Sequence, residues 1–111
     1  MSLTGTSTAG TLTLTAAPTI TFDTGALTTT GNQTYNSAVV LGVDVTVTSS
    51  FGTVRFNGTI EGSGTAGTKS LTVAGNAIFG DAAVDTVGAG NPLEFLSVTG
   101  TARIFANVTT S

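Results

Sequence analysis

Residues 71–84 read LTVAGNAIFGDAAV, and residues 96–108 read LSVTGTARIFANV. The two phrases share an apolar–Thr/Ser–apolar opening, a small-residue middle and a late aromatic. Three more phrases follow the same plan: LTLTAAPTITFDTGAL from Leu12, LTTTGNQTYNSAV from Leu27 and VTVTSSFGTVRFNGTI from Val45. Each carries an aromatic (Phe22, Tyr35, Phe56, Phe79, Phe105) and closes on an aliphatic residue (Leu27, Val39, Ile60, Val84, Val108). The starts fall at Leu12, Leu27, Val45, Leu71 and Leu96, two short steps followed by two longer, nearly equal ones. Self-similarity of this kind is the mark of a solenoid, in which each repeat buries its apolar face only against its neighbours.

The phrases alternate with period two. Leu12 and Leu14 stand against Thr13 and Thr15, Val45 and Val47 against Thr46 and Thr48, Val54 and Phe56 against Arg55 and Asn57. Such alternation reads as strands with one buried face. The Gly-rich stretches 61–68 (EGSGTAGT) and 87–92 (VGAGNP) read as connectors.

An all-β chain follows, with two candidate architectures: a right-handed parallel β-helix (β-solenoid) or an antiparallel β-sandwich. A sandwich has no need of a near-copy of Leu71–Val84 beginning at Leu96, whereas a β-helix sets each strand on the previous one and stacks equivalent side chains. The expected columns are Leu12/Val45/Leu71/Leu96, Phe22/Phe56/Phe79/Phe105 and Ile60/Val84/Val108, with Val73 beside Val98. The steps from Leu12 to Leu27 and from Leu27 to Val45 are too short for one coil each. They suggest two strands sharing a single coil that runs from Leu12 to Val45. Ile78–Phe79 and Ile104–Phe105 leave the register open, because adjacent residues of a regular strand face opposite sides. Residues 1–11 are expected to be a flexible or junctional segment, and 12–111 the solenoid region.

Composition narrows function by exclusion. Apolar residues make up 40% of the chain and charged residues only 8%, with a net charge of −3. The basic residues Arg55, Lys69 and Arg103 lie far apart in sequence, so no basic stripe for nucleic acid is visible. No apolar run is long enough for a transmembrane helix. Without Cys there is no disulfide framework or thiolate metal site. The opening MSLTGTSTAG has no charged n-region or apolar h-region, so no signal peptide is read there.

The phrases TTTGNQTYNSAVVLG (28–42), TVRFNGTIEG (53–62) and SLTVAGN (70–76) resemble the degenerate repeats of very large bacterial surface adhesins of the filamentous-haemagglutinin-like class. The resemblance spans roughly residues 12 to 111. It implies a right-handed parallel β-helix, a secreted or cell-surface location in bacteria, and a stalk role in adhesion or biofilm formation.

Chemistry is sparse. With no His and no Cys, nucleophilic and metal centres lack their usual groups, and no catalytic, cofactor-binding or metal-ligating residue is expected. The one close acidic pair, Asp81 and Asp85, flanks a turn, where Asp ordinarily caps backbone amides. The other acids, Asp23, Asp44, Glu61 and Glu94, are too scattered for the several carboxylates Ca²⁺ requires. Two sets of equivalent hydroxyls form a candidate threonine face: Thr13, Thr28, Thr46, Thr72 and Ser97 in one, Thr15, Thr30, Thr48 and Thr99 in the other. Such a face suits ice or carbohydrate, and equally suits a soluble surface without charge. The sequons at Asn32, Asn57 and Asn107 are candidate glycosylation sites.

The resulting expectation is a non-enzymatic rod segment. It self-associates end to end through exposed strand edges, with copies of itself or adjacent repeats as partners. Host or matrix carbohydrate or protein is a further candidate partner, while nucleic acid and membrane insertion are not expected. A binding module using the threonine face is the alternative.

Overall fold

A computed structural model describes residues 2–3, 10–15, 19–81 and 85–110. The described strands are β1 (Ser2–Leu3), β2 (Leu12–Leu14), β3 (Thr19–Phe22), β4 (Ala26–Thr29), β5 (Gln33–Tyr35), β6 (Ala38–Leu41), β7 (Val45–Phe56), β8 (Ile60–Glu61), β9 (Leu71–Phe79), β10 (Thr86–Val87), β11 (Leu96–Val98), β12 (Ala102–Ile104) and β13 (Asn107–Val108). Every pairing among them is parallel, which rules out the antiparallel sandwich. The chain is a parallel β-solenoid of about four turns.

The strands form three stacks. One sheet runs β1-β3-β6-β8-β10-β13. A second stack holds β4, the first half of β7, the first half of β9, and β11. A third holds β2, β5, the second halves of β7 and β9, and β12. β7 and β9 thus each cross two faces, and the register between them shifts from Thr48/Ala74 to Thr53/Asn76. The longer corner of β7 throws Phe51 outward, 91% exposed. β1 pairs with β3, so part of the segment expected to be junctional already belongs to the solenoid.

Alternation does what the sequence demands. Val45, Val47, Leu71 and Val73 are buried, while Thr46 faces solvent. Val45, Leu71 and Leu96 stack as expected, as do Val73 and Val98. Leu12 does not join them: it stacks on Gln33, and Gln33 on Val54. The true coil steps therefore run from Leu12 to Gln33 to Val54, and then from Phe56 to Phe79 to Ile104, each of the later steps slightly longer than the one before. The expected single coil from Leu12 to Val45 is corrected, because Leu12 and Leu27 begin different faces of the solenoid. Both faces are written in the same apolar–Thr alternation, which hides the difference.

The aromatic column is likewise corrected. It runs Leu14, Tyr35, Phe56, Phe79, Ile104. The rings of Tyr35 and Phe56 stack with centroids 5.0 Å apart and those of Phe56 and Phe79 at 5.5 Å, nearly parallel at 15° and 1°. Phe22 belongs to the opposite sheet, beside Leu41, and meets Tyr35 across the core at 5.1 Å, tilted 59°. Phe105 is displaced because β12 pairs with β9 in a register that puts Ile104 under Phe79, leaving Phe105 at the following turn. The third column runs Ile20, Val39, Ile60, Val87, Val108. Val87 takes the place expected for Val84, which lies outside the described residues.

Gln33 and Tyr35 are matched inside the solenoid, whereas the buried Asn57 Oδ1 and Asn91 Oδ1 have no hydrogen-bond partner among the described residues. Tyr35 donates its hydroxyl to Gln33 Oε1, and Gln33 Nε2 donates to Thr48 O at 2.8 Å, so the buried amide uses both its ends. At the turn after the aromatic column, Asn57 Nδ2 donates to Asn36 Oδ1 (2.7 Å) and Asn36 Nδ2 to Thr15 Oγ1 (3.1 Å), a short side-chain ladder up the stack. At the opposite corner the coils approach so closely that only glycine fits. A Cβ on Gly75 would lie 2.7 Å from Ser49 O, and its φ of 137° is one that other residues rarely adopt.

Candidate functional site

The outward side of the third stack is where two of the basic residues meet. Thr13, Thr34, Arg55, Ile78 and Arg103 occupy one column, each directly above the last. Arg55 and Arg103 are exposed and flank Ile78, two strand spacings or about 10 Å apart. Arg103 lies over the Phe105 ring at 5.4 Å, and neither arginine has an ion pair among the described residues. Beside this column Thr53 pairs with Asn76. Asn32 Oδ1 accepts from Thr53 N–H (2.8 Å) and Asn76 Oδ1 from Thr101 N–H (2.9 Å), which leaves each Nδ2 as the donor these residues offer outward.

Two shallow grooves lie over these residues, of about 240 Å³ and about 360 Å³. Asn32, Thr34 and Arg55 line the first, Asn76, Thr101 and Arg103 the second, and Thr53 and Ile78 border both, so the two are continuous. The sequence reading missed this face by judging the three basic residues far apart. The signal was present: GTLTL (10–14), GNQTY (31–35), GTVRF (52–56), GNAIF (75–79) and GTARI (100–104) repeat at the coil step, with Arg in the fourth place of two.

The threonine candidates do not form two equivalent columns. Thr46, Thr72 and Ser97 stack with Ala26, while Thr28 stacks with Thr48 and Ala74, all on the second stack. Thr13 belongs to the arginine column instead. Thr15, Thr30 and Thr99 stand at corners, where their hydroxyls accept hydrogen bonds from Asn36 Nδ2, Gly10 N–H and Gly75 N–H. The reason is again the coil step, which sets Thr28 over Thr48 and not Thr46.

Three of the six acids hold backbone amides. Asp85 accepts from Asp81 N–H at 2.9 Å, Asp44 from Ser70 N–H at 2.9 Å, and Glu61 from Gly90 N–H and Asn91 N–H, the latter at 2.6 Å. Among the described residues no group of three or more acids could hold a metal ion. Of the sequons, Asn57 has its amide nitrogen engaged by Asn36, Asn32 is exposed with its oxygen engaged, and Asn107 is exposed in β13.

The last coil is open. Ile104 is 51% exposed although Phe79, its equivalent one coil earlier, is wholly buried. Phe95, Phe105 and Val108 are exposed with it. No protein-family model, curated protein or solved structure matches the chain. The fold defines its class, a parallel β-solenoid of about four turns.

Proposed function

We propose that this protein is a structural solenoid unit that lengthens by end-to-end stacking, as a stalk or filament segment of an extracellular adhesin. The uncovered last coil carries the reading. Its core-facing Ile104, Val98 and Val108 continue columns that are buried one coil earlier, so another coil laid on them would bury the same kind of surface again. Unpaired edge strands without charge or proline are the usual templates for β-augmentation, and β11 and β13 carry neither. The adhesin setting rests on the resemblance of the repeat phrases alone.

Sedimentation velocity over a range of concentrations tests the proposal. Growing oligomers are expected, together with a monomer that persists when Val98→Lys and Ile104→Lys place charge on the edge. A wild-type chain that stays monomeric at the highest soluble concentration, or a lysine variant that folds and still associates, would overturn it.

A further inference from the structure

The arginine face carries an inference that does not depend on stacking. We infer that the outward groove over Arg55, Ile78 and Arg103 binds a linear acidic polysaccharide. Three observations converge on this ligand. First, two of the chain's three basic residues share one column of an acidic protein, both exposed, with no ion pair among the described residues. Guanidinium forks take carboxylates in bidentate pairs, so this column asks for anions repeated along its length. Second, the groove is shallow and runs across four coils, from Asn32 and Thr34 to Thr101 and Arg103. That shape suits an extended chain with an acid group recurring about every 10 Å, as an acidic group on alternate sugars provides. Third, what separates the cations is a half-buried apolar side chain, Ile78, flanked by the Asn32, Thr53, Asn76 and Thr101 column. An apolar spot beside amide donors and hydroxyls is the surface a sugar ring uses, with its C–H face down and its hydroxyls at the rim.

Nucleic acid fits less well. Single strands bind through aromatic platforms on which bases stack, and no aromatic lines either groove. The net charge of −3 is no obstacle at physiological salt. No acid lines either groove, and screening acts within about 8 Å.

Hyaluronan oligosaccharide, with an acid on alternate sugars, is the probe, and neutral chitin oligosaccharide the control, each titrated calorimetrically against dilute protein at two salt concentrations. Hyaluronan is expected to bind and to weaken with salt, while chitin oligosaccharide is not. Arg55→Gln and Arg103→Gln should each weaken binding about tenfold, the loss expected for one charge-assisted contact. Lys69→Gln removes the same charge elsewhere and should leave affinity unchanged, and Arg55→Lys should restore part of it. Circular dichroism on each variant separates lost binding from lost fold. The proposal fails if the wild type ignores hyaluronan at low salt or if chitin oligosaccharide binds equally well. It also fails if Lys69→Gln weakens binding as much as the arginine changes do, or if oligothymidylate binds more tightly than hyaluronan.

Discussion

Tyr35 and Phe79 show how single side chains hold the stack. Phe79 is wholly buried with Phe56 stacked on one side, so Phe79→Ala should destabilise by about 3 to 5 kcal/mol in chemical unfolding, the cost of deleting a buried ring. Tyr35 is the chain's only tyrosine, and its hydroxyl is buried against Gln33. Burial pushes that hydroxyl's pKa well above its ordinary value of 10.0. The folded state therefore holds the proton more tightly than the unfolded state does. Stability from this group is complete below pH 10.0 and is lost as pH rises above it. Tyrosinate absorbance should stay absent past that pH and then emerge together with unfolding. Tyr35→Phe removes this alkaline loss but strands Gln33 Oε1, so it should cost about 1 to 3 kcal/mol at neutral pH. Phe51 is the opposite case. At 91% exposure Phe51→Ser should change stability by less than about 0.5 kcal/mol.

At the scale of strands and turns, much is legible in the sequence. Period-two alternation locates the strands of β7, β9 and β11, and the echo of Leu71–Val73 in Leu96–Val98 aligns β9 with β11 residue for residue. Phase is harder to read. The phrase beginning at Leu27 looks like a repeat of the one at Leu12, because every face of a solenoid buries aliphatics and exposes threonine. Periodicity alone does not say which face a strand belongs to. The corner does. Gly52, Gly75 and Gly100 each face the coil before at distances no Cβ tolerates, and Gly31 comes nearly as close to Gly10. That spacing, once seen, fixes the register of Phe79 over Ile104 and of Arg55 with Arg103. Gly75→Ala should accordingly destabilise by about 1 to 3 kcal/mol, through its positive φ and the Ser49 carbonyl. The connector 61–68 is less idle than its composition suggests. Glu61 binds the 90–91 amides, Ser63 Oγ donates to Leu41 O, and Gly67 N–H donates to Pro92 O. Insertions are expected to be tolerated only at the exposed positions 64–66, and limited proteolysis of insertion variants at 62 and at 65 would show the contrast.

For the whole molecule the decisive property is that its two ends differ. Among the described residues one end presents β11, β12 and β13, the other β1 and β2. In a parallel solenoid, continuation of the columns sets the β12 end of one copy against the β2 end of the next, the same order met inside the chain. In the proposed stack the contact is heterologous, one surface against a different one, and would propagate as an open filament instead of closing as a symmetric dimer. Two blocked chains distinguish these cases. A chain with Val98→Lys and Ile104→Lys keeps only its β2 end, and a chain with Leu12→Lys and Leu14→Lys keeps only its β12 end. Charge on an edge strand is the ordinary means of preventing strand addition. Each blocked chain alone should sediment as a monomer. An equimolar mixture should form a dimer and grow no further, since each dimer has used its two competent ends. If either blocked chain dimerises alone, the contact joins like to like and no filament follows from it.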